Sequence, residues 1–359
     1  MSIIGFERTT YAENKQFLYN RNTSFSRVNS EKLDSLPSYF TDKDKEWCSI
    51  VNHSRVDIIH YFNQINYGAV PFGTTFETTV PRHWSEQAIS RGTKIILSEK
   101  CKFLIAMSEN AKKLQEERCN HLSSEEQQKL EDKTVVLHTP QEIIPNDISR
   151  FSDINPLRII FIGYDFYRKG GFPMLRALEQ LNRLGYKFHL TVVSDVTLID
   201  INYNITDADL STVELVLDYF VQNHEWIEWK PNLPNDDVIA MLPNYHLGML
   251  PSFAETYGYT VLEMQAAGIP VITTNVGAFP EINPENCGWQ ITLPAQWREN
   301  KARSLIVMQN SIFSIIRGIF DAPDILTTKS CNSVDKIIAL HCPIKHAAKL
   351  QRIYSAACP

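Results

Sequence analysis

The sequence predicts an α/β protein of two parallel-sheet, Rossmann-like domains, and three observations carry that prediction. The chain has 359 residues, enough for two cores at roughly 100–200 residues per domain. Short apolar runs alternate with helical stretches in two successive series, the pattern of strands covered by helices on both faces. Between the two series stands Ile154-Asn155-Pro156, a turn-like break.

Residues 1–50 are polar and carry no clear periodicity. The first series then runs through Val56–Phe62, Val70–Phe76, Lys102–Met107 and Thr134–Leu137, each short and β-branched or aromatic. Ser108–Leu122 reads as a helix, and Ser123-Ser124-Glu125-Glu126 is a capping box that opens another. The second series starts with the continuous apolar strand Leu157–Ile162 and the helix Pro173–Leu184. Strand Phe188–Val193, an acidic segment Asp195–Asp209, helix Ser211–Gln222 and strand Trp226–Trp229 follow. Helix Asp236–Leu242, strand Leu247–Leu250, helix Gly258–Ala267 and strand Val271–Thr274 complete the set, and Lys345–Tyr354 is again helical. Two facing domains of this kind hold ligands in the cleft between them, where the loops after Ile162, Trp229, Leu250 and Thr274 open.

Composition narrows the function. Residues 1–155 carry 19 Lys and Arg against 21 Asp and Glu, and residues 156–359 carry 16 against 20. Neither half is basic, so nucleic acid is not an expected partner. Seven cysteines form no C-x-x-C pair, which reads as reduced thiols in a cytoplasmic protein. The opening MSIIGFERTTYAENK lacks the apolar stretch of a signal peptide, and no 18-residue charge-free apolar run predicts a spanning helix. His341, Cys342 and His346 lie close together but Pro343 interrupts them, so no metal site is expected there. Asp42-Lys43-Asp44 and Asp207-Ala208-Asp209 both fit a D-x-D metal triplet, and the second reads better as an acidic helix start.

Glycine is scarce and unevenly placed. There are 14, with only Gly5, Gly68, Gly73 and Gly92 ahead of residue 155. No G-x-G-x-x-G and no G-x-x-x-x-G-K-[ST] occurs, which disfavours a dinucleotide fingerprint or a P-loop. Phosphate binding, if present, belongs to the second half and to other geometry.

The stretch Pro251–Pro270 is the most informative. It reads as a strand end, a loop holding Glu255, and a helix whose first turn starts near Gly258, where free N–H groups suit an anion. Glu263 lies inside that helix, and a carboxylate there can accept two hydrogen bonds from a diol such as ribose. A helix cap beside a surface glutamate fits the same spacing.

Glu255 and Glu263 form an E-x7-E arrangement, with Pro251-Ser252 before it and Leu262-Glu263-x-x-Ala266-x-Gly268-x-Pro270 around it. Val271–Glu281 adds a strand, a glycine loop and a closing Pro280-Glu281. Together these resemble retaining GT-B glycosyltransferases of the GT4 type, the glycosyl transferases group 1. Phe161-Ile162-Gly163-Tyr164-Asp165-Phe166-Tyr167-Arg168-Lys169-Gly170-Gly171 is a second match, with Tyr164 where the family often has arginine. Upstream the resemblance loosens: Asp57-Ile58-Ile59-His60 looks like a family strand end, and Glu77 stands where many members have histidine. The family's first-strand glycine loop is not found in residues 1–50.

The resemblance implies a GT-B architecture with an acceptor-side domain at 1–155 and a nucleotide-sugar donor domain at 156–340. A C-terminal helix, 341–359, packs back on the N-terminal domain. It implies a UDP- or GDP-sugar donor and a glycan, lipid-linked or small-molecule acceptor, with peripheral membrane contact as a further expectation. No cofactor and no metal are implied. Glu255 then contacts sugar hydroxyls and Glu263 the ribose. Gly163, Gly258, Tyr259 and Thr260 line the phosphate and ribose, and the base stacks near Trp229. Lys169 and Arg168 stabilise the leaving diphosphate. Glu77 faces the reacting sugar, and His60 is placed on the acceptor side. The rival readings are a non-catalytic GT-B-like protein that binds a nucleotide sugar or glycan, and a sugar-nucleotide epimerase.

Overall fold

The computed structural model describes residues 3–7, 23–194, 217–231, 233–295, 297 and 301–358. The chain divides into two units, one formed by Met1–Gln141 with Leu340–Pro359 and the other by Glu142–Ala339.

The first unit is built on a six-stranded sheet in which every pairing is parallel: β1 (Ile3–Phe6), β2 (Ser24–Arg27), β3 (Ile58–Phe62), β4 (Phe72–Phe76), β5 (Cys101–Ala106) and β6 (Thr134–Val136). Their spatial order is β2-β1-β3-β4-β5-β6. The first two strands come from the stretch without periodicity. They are four residues each, and β2 is a polar edge strand, so neither carries an alternating signal. Helices α1 (Glu86–Leu97), α2 (Glu109–Arg118) and α3 (Ser124–Lys133) connect the later strands. Ser123 caps α3 in a full capping box with Glu126.

Alternation along β3 serves two cores at once. Ile59 and Tyr61 enter one cluster with Phe72, Phe76 and Leu104. Ile58 enters the other, with Ile4, Phe103, Ile105, Leu350 and Tyr354. The last two belong to the chain's final helix, Pro343–Ala357, which therefore covers one face of the first sheet.

The second unit also carries a six-stranded, all-parallel sheet: β7 (Leu157–Ile162), β8 (Phe188–Val193), β9 (Ile227–Trp229), β10 (Leu247–Leu250), β11 (Val271–Thr274) and β12 (Trp289–Ile291). Their order is β9-β8-β7-β10-β11-β12. Strands buried on both faces read as continuous apolar runs, and four of these have the limits expected from sequence. Helices α4 (Gly171–Arg183), α5 (Asn235–Met241) and α6 (Tyr259–Ala266) follow β7, β9 and β10. Beyond β12 come α7 (Lys301–Asp321) and α8 (Asp324–Leu340), with the final helix, α9, after them. Met308, Ile312, Ile316 and Ile319 recur on one face of α7 and share a core with Leu175, Leu178 and Leu181 of α4.

The first unit ends at Gln141 and not at 155. Residues 142–155 are tied to the second unit by backbone carbonyls: Ile144 N–H donates to Ala266 O at 3.0 Å. Arg150 donates to the carbonyls of Ala267 and Gly268 at 2.8 and 2.7 Å. Among the described residues no single helix is long and apolar enough to cross a membrane. The acidic segment Asp195–Asp209, with its D-x-D match, and residues 211–216 of the expected helix Ser211–Gln222 lie outside the described residues.

Candidate functional site

The order of the second sheet has a reversal between β7 and β10, where the chain's direction of winding changes. Loops leaving the carboxyl ends of such neighbours diverge above and below the sheet and leave a ligand crevice. The register Leu247↔Ile159 to Met249↔Phe161 aligns the two strands. The loop 163–170 and the loop 251–258 therefore start side by side.

Close backbone approach requires glycine at two of these positions. Gly170 sits at φ +83°, and a Cβ there would lie 2.2 Å from the carbonyl oxygen of Pro251. Gly277, in the loop after β11, sits at φ +55°, and its Cβ would fall 2.0 Å from the carbonyl oxygen of Glu255. Both contacts exclude any side chain, and both conformations disfavour one. The loops 163–170 and 275–278 thus pack against the backbone of residues 251–255 from two sides.

Hydrogen bonds hold the same assembly. The Phe253 N–H donates to Arg168 O at 2.8 Å, and Arg168 Nη1 donates to Ala254 O at 2.8 Å. Arg168 Nε donates to Asp165 Oδ2 at 2.9 Å. Next to these contacts Lys169 Nζ forms an ion pair with Glu255 Oε2, both side chains being 12% exposed. The second Glu255 oxygen accepts the Thr256 N–H at 3.2 Å.

Helix α6 begins where this loop ends. Its N-cap is Gly258 in the left-handed region, and no side chain caps the first turn. Tyr259 and Thr260 are half-buried in that turn, while Glu263, one turn on, is buried. Trp229, at the end of β9, is half-buried and donates from Nε1 to Ser194 O at 2.8 Å. Gly163 immediately follows β7, with Lys169 Cγ near the position of an added Cβ, 3.2 Å away.

The remaining expected residues lie in the first unit. Glu77 directly follows β4. Its N–H donates to Asn63 Oδ1 at 3.1 Å, Asn63 Nδ2 donates back to Glu77 Oε2 at 3.3 Å, and Arg82 Nη1 stands 3.6 Å away. His60 requires a correction. It is 1% exposed, with Nδ1 at 2.7 Å from the Tyr354 hydroxyl and Nε2 at 2.8 Å from Thr75 Oγ1. Burial, with a smaller contribution from His346, lowers its pKa to about 3. A neutral imidazole with both nitrogens engaged is a core group between sheet and helix, not an acceptor contact.

Asp42-Lys43-Asp44 is a helix turn: Asp44 completes a capping box with Thr41 and accepts the N–H groups of Trp84 and Ser85. His341 is buried against Thr139 O at 2.8 Å. No role for Asp165 follows from the sequence match. Its only sequence signal is an aspartate three residues before an arginine in a loop.

Residues 146–310 match the family model described as glycosyl transferases group 1. Glycogen synthase of Mycobacterium tuberculosis is 29% identical over 126 residues, 35% of this chain and 28% of that protein. The chain thus spans little more than a quarter of the curated relative. The HepE protein of Anabaena, solved with UDP-glucose, is 12% identical with TM-score 0.65, covering 99% of this chain and 100% of that one. Sucrose-phosphate synthase of Thermosynechococcus elongatus is 13% identical with TM-score 0.62, over 99% and 98% of the two chains. At such identities the likeness is one of fold, and the fold is GT-B.

Proposed function

We propose, from the match of residues 146–310 to the glycosyl transferases group 1 model, that this chain is a retaining, GT4-type hexosyltransferase. It moves the sugar of a UDP- or GDP-sugar to a glycan, lipid-linked or small-molecule acceptor. The observation that carries the reading is the meeting of Lys169 and Glu255 at the reversal of the second sheet, beside the open first turn of α6.

A diphosphate laid there meets the N–H groups of Tyr259 and Thr260 and the positive end of the helix. Lys169 neutralises the charge that builds as the bond between the anomeric carbon and the diphosphate oxygen breaks. The electron pair stays on the diphosphate; the acceptor oxygen bonds the anomeric carbon and passes its proton to an oxygen of the departing diphosphate. Glu255 accepts from sugar hydroxyls once Lys169 has turned to the phosphate. Glu263 takes the ribose diol, and the base lies toward Trp229. This reading assigns no resident metal or cofactor, because protein cations and helix amides supply the countercharge. HepE, with UDP-glucose bound in its structure, supports UDP as the first nucleotide to test. Acceptor recognition falls to the first unit, where Glu77 stands at a strand end.

Glu263→Ala is expected to weaken UDP binding by about 1.5–3 kcal/mol, the value of a hydrogen bond to a charged group. Unchanged affinity in calorimetry removes the ribose assignment. For the activity itself, the chain is incubated with radiolabelled UDP-, GDP- and ADP-glucose without acceptor. Slow hydrolysis identifies a transferase, and interconversion of sugars an epimerase. Binding without turnover favours the non-catalytic reading, which the mutual neutralisation of Lys169 and Glu255 also fits. No binding to any of the three rejects the donor site.

A further inference from the structure

The geometry points to Asp165 and Arg168 as a positioning pair that sets the Lys169–Glu255 contact, rather than as groups that meet the diphosphate. The inference rests on the donor reading above and refines it, because the resemblance assigns Arg168 to the diphosphate beside Lys169.

Asp165 is a non-glycine residue at φ +61° and is 6% exposed. Most side chains avoid this conformation, and aspartate adopts it where its carboxylate is held by local hydrogen bonds. The contacts are specific. One carboxylate oxygen accepts the Arg168 N–H at 3.2 Å, and the other accepts Arg168 Nε at 2.9 Å. The guanidinium so oriented extends Nη1 to Ala254 O at 2.8 Å, while Arg168 O accepts the Phe253 N–H at 2.8 Å.

Arg168 therefore bonds both residues that precede Glu255, and Lys169 is its own neighbour. Fixing Arg168 against Phe253 and Ala254 fixes the register in which the next residues, Lys169 and Glu255, face each other. The task needs a planar fork: Nε must reach Asp165 while Nη1 reaches the other loop. A lysine ammonium is a single point of charge and cannot span both. The pair is enclosed, with side-chain exposures of 18% and 7%, so solvent does little to screen it.

Turnover should then depend on Asp165 and Arg168, whereas UDP affinity should rest mainly on Glu263 and the first turn of α6. UDP binding is measured by calorimetry and UDP-glucose hydrolysis by release of labelled glucose, in the full chain. Asp165→Asn and Arg168→Lys are each expected to lower kcat by about 100-fold, the effect of a misplacement of ~1 Å. Their UDP affinity stays within about threefold of the parent, which also reports an intact second unit. The double variant falls no further than the slower single one, as for groups acting through one contact. Arg168→Gln behaves like Arg168→Lys.

Parental turnover in Asp165→Asn overturns the proposal. So does a loss of UDP affinity in Arg168→Gln that Arg168→Lys restores, since a phosphate ligand needs only the charge. If the parent protein neither binds UDP nor hydrolyses UDP-glucose, the donor reading fails and the proposal with it. That outcome is distinct from an active parent with indifferent variants.

Discussion

Lys169 and Glu255 are 86 positions apart and nothing in their spacing announces that they touch. Sequence marks Lys169 through its flanking glycines and Glu255 through the E-x7-E spacing, and only the strand order shows that they pair. The pairing leads to opposite expectations for their removal. Lys169→Ala takes away charge that matters most as the diphosphate departs, so kcat falls by about 10²–10³, more than the affinity for UDP. Glu255→Gln removes a carboxylate that competes with the diphosphate for Lys169. UDP then binds up to about fivefold tighter, the equivalent of an ion pair worth ~1 kcal/mol, while turnover drops. Weaker UDP binding in Glu255→Gln would show that the carboxylate assists the nucleotide instead. His60 shows the reverse case, a residue singled out by motif whose surroundings are core. Burial lowers its pKa from 6.5 to about 3, so the unfolded chain takes up a proton at higher pH than the folded one does. Stability is complete above about pH 6.5 and declines between 6.5 and 3, by roughly 1.4 kcal/mol per pH unit for one such group. His346, lowered to about 4 mainly by burial, adds to the loss in the same direction. Thermal melts from pH 7 to 4.5 should show this slope, and His60→Gln should flatten it; an equal slope in both proteins would assign the effect elsewhere.

Elements were legible where one physical signal dominated. The strands Leu157–Ile162, Phe188–Val193, Leu247–Leu250 and Val271–Thr274 are covered on both faces, so burial writes them as unbroken apolar runs with clear ends. Helix α3 was equally plain, because its capping box is local. Strands β1 and β2 were not, since four-residue segments gain their identity from the sheet they join. Helices α7 and α8 lie beyond the last motif, and only tertiary packing with α4 makes the apolar face of α7 meaningful. Loops that form the site are a third case, where glycine is the visible trace of a close approach. Gly277→Ala tests this, because the new methyl meets Glu255 O and the backbone is held at φ +55°. A destabilisation of about 1–3 kcal/mol is expected from the strain alone, together with lost turnover as the Glu255 loop shifts. A variant with parental activity and stability would mean the loop after β11 relaxes without involving Glu255.

The two units differ in how the chain builds them, and this decides what each can do alone. Glu142–Ala339 is one continuous segment that holds a complete six-stranded sheet, its core and every residue assigned to the donor. The first unit is discontinuous. Its sheet face lined by Ile4, Ile58, Phe103 and Ile105 is covered by Leu350 and Tyr354 of α9, which arrive only after the second unit has been threaded. Tyr354 also shares a hydrogen bond with His60, so removing the helix opens both that contact and a large apolar face to water. Losing just the Leu350 side chain costs about 2–5 kcal/mol by cavity formation, a large share of the ~5–15 kcal/mol that holds a domain. A fragment of residues 142–339 is therefore expected to fold cooperatively and to bind UDP as the full chain does. A fragment of residues 1–141 is expected to lack a cooperative melt until a peptide of residues 340–359 is added. Circular dichroism melts of the fragments and UDP titration of the second one decide the matter. A cooperative 1–141 fragment would show that α9 is dispensable to the first core, and a 142–339 fragment that folds without binding UDP would place part of the nucleotide site outside Glu142–Ala339.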